Sequence, residues 1–80
     1  MNDYEKIELL KAIEEIQNAI KFYDRQNAID LIIRIRRDHP GKEQVVYVFN
    51  NVPLEQADDK MIIDTLVAEK NRLICKLNEE

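Results

Sequence analysis

The chain has 80 residues, 45% of them hydrophobic and 35% charged, with a formal net charge of −4. That length holds one small domain, residues 1–80, and leaves no room for a second core. There is no serine, and there is one residue each of Thr (Thr65), His (His39) and Cys (Cys75), which excludes a serine nucleophile, an intramolecular disulfide and any metal site built from several His or Cys.

The chain opens on Met1-Asn2-Asp3-Tyr4-Glu5, which is acidic and polar. It has neither a basic n-region nor an apolar h-region, so no signal peptide is expected. A reducing cytoplasm suits the single thiol. Asn2 or Asp3 is a candidate helix cap. Apolar residues follow at Ile7, Leu9, Leu10, Ile13, Ile16, Ala19, Ile20 and Tyr23, in steps of three and four, which predicts a helix over about residues 3–24. Asp24-Arg25-Gln26-Asn27 is expected to end it.

The next block reads two ways. Ile29, Leu31, Ile33 and Ile35 alternate with Asp30, Arg34 and Arg36, as in a strand. Ile29, Ile32, Ile33 and Arg36 would also share one side of a longer first helix. Val45-Val46-Tyr47-Val48-Phe49 is strongly β-prone, and a lone strand leaves its backbone groups unpaired. Arg37 to Lys42, with Pro40-Gly41, has the chemistry of a turn. A β-hairpin pairing residues 28–37 with 44–50 is therefore the favoured reading.

After Asn50-Asn51-Val52, Pro53 suits the first turn of a helix. Glu55, Asp58 and Asp59 match its positive end. The apolar stripe is Ile62, Ile63, Leu66, Val67, Leu73, Ile74 and Leu77. Met61, Ala68 and Cys75 form a second line at seven-residue spacing, with Cys75 expected as a buried structural thiol. The fold class predicted is α+β: a helix–β-hairpin–helix (αββα) domain, two helices on a two-stranded sheet, completed by oligomerisation. The expected core is Ile13, Ile16, Ile20, Ile33, Ile35, Val48, Ile63, Leu66 and Ile74.

Charge divides the chain in three. Residues 1–24 carry six acids against three bases, residues 25–42 five bases against two acids, and residues 43–80 eight acids against four bases. Arg34, Arg36 and Arg37, with Lys42 at the rim and Tyr47 nearby, are the candidate binding residues. Guanidinium forks suit phosphate or carboxylate, and an aromatic ring stacks on a base or guanidinium. On a strand, Arg34 and Arg36 share a face. The competing reading pairs these arginines with helix carboxylates. Nucleic acid is disfavoured by the net charge. Glu14-Glu15 and Asp58-Asp59 diverge on a helix and read as solvent faces. No phosphate loop, dinucleotide fingerprint or zinc spacing occurs, so no enzyme, cofactor or metal is expected. The longest uninterrupted apolar run is five residues, against roughly 20 for a membrane span.

The surplus apolar surface points to self-association as a homodimer or higher oligomer. The function expected is a small protein-binding module: an inhibitor, adaptor or assembly factor of the kind phages and mobile elements encode. The alternative is a nucleotide or anion binder that uses the hairpin arginines and aromatics at a subunit junction.

Overall fold

The computed structural model describes residues 2–39 and 52–79, and these form three α-helices and one short 3-10 turn. The first helix, α1, runs Asp3–Lys21. Asn2 caps it, its Oδ1 accepting from the Glu5 N–H at 2.8 Å. Asp3 and Glu5 in the first turn and Lys21 in the last complement the helix dipole. Leu9, Ile13 and Ile16 are buried along one side, with Ala12, Ala19 and Ile20 packed beside them. The helix ends as expected before the polar stretch. The Phe22 N–H donates to the Asn18 carbonyl at 2.9 Å, and the backbone then leaves helical geometry.

The second helix, α2, runs Arg25–Asp38 and corrects the αββα reading. The first arm of the expected hairpin is helical throughout, so the described residues form a helical bundle and not an α+β fold. The second arm, residues 44–50, lies outside the described residues. Burial in α2 follows the helical period. Ile29, Ile32 and Ile35 are all buried in steps of three, with Ile32 completely enclosed, whereas Ile33 is half-exposed. A strand would have put Ile29, Ile33 and Ile35 on one face and Ile32 on the other. The deciding local signal is Asp24. Its backbone is extended (φ −138, ψ 122), and its carboxylate accepts from the Asn27 N–H at 3.2 Å. The segment that closes α1 thus also opens α2. Arg36 and Arg37 lie in the last turn, at the negative end of the dipole. The isoleucines cost only tenths of a kcal/mol each in helix propensity, which burial of their side chains outweighs.

Pro53 begins no α-helix. It precedes a 3-10 turn, Leu54–Gln56, that inserts Leu54 and Ala57 into the core. The third helix, α3, starts later than the sequence predicts and runs Asp59–Asn78, capped by Asp58, whose Oδ1 accepts from the Met61 N–H at 2.8 Å. Its buried line is Ile62, Thr65, Leu66, Glu69 and Leu73. Ile63, Val67, Ile74 and Leu77 sit at the margin, and Cys75 is exposed, contrary to its expected burial. Buried Thr65 satisfies its hydroxyl by donating to the Met61 carbonyl at 2.8 Å.

Of the expected core, Ile13, Ile16, Ile35 and Leu66 are buried, whereas Ile20, Ile33, Ile63 and Ile74 are half-buried; Val48 lies outside the described residues. α3 packs chiefly on α1 and then on α2, while α1 and α2 touch each other least. The Cα atoms span 37 × 26 × 16 Å, a slab rather than a sphere. Among the described residues no helix is long and apolar enough to cross a membrane.

Candidate functional site

Helical geometry separates the arginines that a strand would have aligned. Arg34 and Arg37 are one turn apart on α2, and Arg36 turns inward between α2 and α3. Arg34 is exposed and ion-paired to Glu15 of α1. Arg36 is 5% exposed, and its Nε donates to Glu69 Oε1 at 2.9 Å. The other oxygen of Glu69 accepts from Arg72 Nε at 3.1 Å and Nη2 at 2.7 Å. Glu69 is itself only 3% exposed. One buried carboxylate therefore holds two guanidinium groups and ties α2 to α3. Arg37 is exposed and has no ion pair among the described residues. Lys42 and Tyr47 lie outside the described residues. The basic island is thus divided: Arg34 and Arg36 act as interhelical ties, and Arg37 faces solvent.

The acidic pairs have separate tasks. Asp58 caps α3, and Asp59 accepts from the Tyr23 hydroxyl at 2.7 Å and, more weakly, from Arg25 Nη1 at 3.4 Å. Arg25 Nη2 also donates to the Glu55 carbonyl at 2.9 Å. This latch joins the α1–α2 turn to the start of α3. Burial, then the hydrogen bond to Asp59, pushes the Tyr23 pKa up to about 12. His39 sits past the end of α2, beside a cavity of about 420 Å³ lined also by Tyr4, Glu8, Asp38 and Lys76. Partial burial, aided by the Lys76 charge, lowers its pKa below the ordinary 6.5. Among the described residues no group of three or more His, Cys, Asp or Glu could hold a metal ion.

Two surface features stand apart from this internal wiring. The first is the outer side of α1, where Tyr4, Ile7 and Leu10 are exposed at successive steps of three. With Phe22 at the helix end, they are all the large hydrophobic residues exposed among the described residues. The helical stripe read from the sequence includes Ile7 and Leu10 with the packed residues, and the structure separates them onto the outer side. The second is a cleft of about 530 Å³ between the splayed α1 and α2, near their connecting turn. Glu15, Asp24 and Asp30 face it, with Phe22 along its wall and Ala19 and Leu31 beneath.

No family model matches the chain, and neither curated proteins nor solved structures include a match to it.

Proposed function

We propose that this chain is a small non-enzymatic protein-binding module, acting as a homo-oligomer that presents itself to another protein. The observation that carries the reading is the run of exposed large apolar residues on the outer side of α1: Tyr4, Ile7 and Leu10. Single exposed apolar residues need no explanation, but a run along one helix side is a contact surface. A C2 pair would place the outer side of α1 against itself, burying Ile7 and Leu10 with Tyr4 at the margin. The broad side of the slab, 37 × 26 Å, is large enough for a standard interface of about 800 Å² per partner. Charged residues border the run: Asp3, Lys6, Lys11 and Glu14 are exposed on the same helix. Such a border sets register more than affinity.

The engagement of Arg34 with Glu15 and of Arg36 with Glu69 leaves the arginine cluster without the aligned forks that a nucleotide site would use. Light scattering over a concentration series tests the reading. A mass above 9.5 kDa at micromolar concentration, returning to the monomer value in Ile7→Glu, is expected. A 9.5 kDa monomer at every concentration overturns self-association.

A further inference from the structure

We infer that the cleft between α1 and α2 is a docking groove for a basic, apolar-anchored helical segment of a partner protein. This inference rests on the protein-binding reading and names the chemistry of the partner. The groove is built by two helix sides meeting at a short turn. Glu15, Asn18, Ala19 and Phe22 on α1 follow the i, i+3, i+4, i+7 pattern, and Asn27, Asp30, Leu31 and Arg34 on α2 repeat it. Eight residues per side give a trough about two helical turns long, at 1.5 Å per residue. That is the geometry by which two helices receive the apolar side of a third. The volume of about 530 Å³ accommodates several side chains.

Charge selects the occupant. Three carboxylates line the groove against one guanidinium, and Arg34 is already held by Glu15. Asp24 uses one oxygen to cap α2, and Asp30 uses one to accept from Gln26 Nε2 at 3.0 Å. Among the described residues no donor reaches the second oxygen of Glu15, Asp24 or Asp30. Each therefore retains acceptor capacity that a cationic partner can use. Phe22 is 69% exposed and stands along the wall, offering its face to an aliphatic anchor or a second cation; Lys21 already lies 5.3 Å from its ring centroid. An acidic segment or a free anion would meet repulsion here, and a purely apolar one would leave the carboxylates desolvated and unpaired.

The test is a titration of the isotope-labelled full chain, read by amide chemical shifts. The probe is a capped helical peptide of about ten residues with Leu on one side and Lys flanking it; the control has Glu for each Lys. The Lys peptide is expected to shift Asn18, Phe22, Asn27 and Asp30, more weakly as salt rises, and the Glu peptide to shift none of them. Asp30→Lys is expected to weaken the Lys peptide at least tenfold, and Phe22→Ala several-fold. Asp30 and Phe22 are both exposed, so circular dichroism of both variants should match the parent. The inference is overturned by an unshifted groove, by shifts spread evenly over all acidic surfaces, or by undiminished binding in both variants. It is also overturned if the groove shifts with protein concentration alone, since a second copy is then the occupant. Loss of peptide binding with self-association through Ile7 intact removes the groove and leaves the protein-binding reading standing; loss of both removes both.

Discussion

Glu69→Ala removes an acceptor shared by two guanidinium groups. Arg36 is 5% exposed and cannot reach water without opening the α2–α3 contact. Arg72 has a 24% exposed side chain and can turn outward. The cost is therefore set mainly by Arg36. Removing the carboxylate of a buried ion pair costs about 3–5 kcal/mol. A domain of this length has a total stability of about 4–12 kcal/mol, so the variant is expected to lose a quarter or more of it. Arg72→Ala should cost only about 1 kcal/mol, because Glu69 keeps Arg36 and the lost group was partly solvated. Replacing both buried charges, Arg36→Met with Glu69→Leu, should recover most of the Glu69→Ala loss, since well-packed apolar groups substitute for a buried ion pair at little cost. Urea unfolding followed by circular dichroism measures all three, provided the slope with denaturant is unchanged. A Glu69→Ala variant within about 1 kcal/mol of the parent at equal slope refutes the claim that this carboxylate holds the helices together.

Further outcomes follow from the caps, the latch and the surface. Asp24→Ala should cost about 1 kcal/mol by urea unfolding, with Asp24→Asn nearly neutral, because the side-chain oxygen caps α2. Tyr23 has its pKa raised, so the folded state holds the phenol proton more tightly than the unfolded state. The Tyr23 contribution to stability should be constant below pH 10 and be lost as pH rises towards 12, and Tyr23→Phe should remove that loss. His39 has its pKa lowered by burial and faces Lys76 and Arg72 as well as Asp38 and Glu8. Its imidazole signal should titrate below 6.5, with stability decreasing as pH drops below that value; a midpoint above 6.5 contradicts the placement. Leu10→Glu should lower the mass measured by light scattering and leave the unfolding midpoint nearly unchanged at dilutions where the parent is a monomer, because Leu10 is exposed in the single chain.

What the sequence disclosed depended on whether the signal was local. The cap at Asn2, the end of α1 and the apolar lines through Ile13, Ile16, Ile62, Leu66 and Leu73 are all carried by neighbouring residues and are found in the structure, whereas Asp58, read as a first-turn acid behind Pro53, is the cap itself. The block from Ala28 to Arg37 failed for an identifiable reason. Four isoleucines and one leucine in seven positions satisfy both period two and period 3.6, so burial alone distinguishes them. The β-prone run at Val45–Phe49 favours the strand reading by offering a pairing partner. Asp24, three residues before Asn27, carries the opposing local signal, since a capping carboxylate starts a helix. The Arg36–Glu69–Arg72 tie joins positions 33 residues apart and had no local signature. A glutamate on the apolar line of α3, one turn after Thr65 and Leu66, was its only trace. The competing reading pairs Arg34 with a helix carboxylate, and Glu15 supplies that carboxylate.

The most direct measurement of self-association through α1 is an isotope-filtered NOE experiment on a mixture of labelled and unlabelled chain. Contacts between copies at the Ile7 and Leu10 methyls and the Tyr4 ring are the expected result. Intermolecular contacts confined to other surfaces, or none at a concentration where the parent chain scatters as an oligomer, would contradict it.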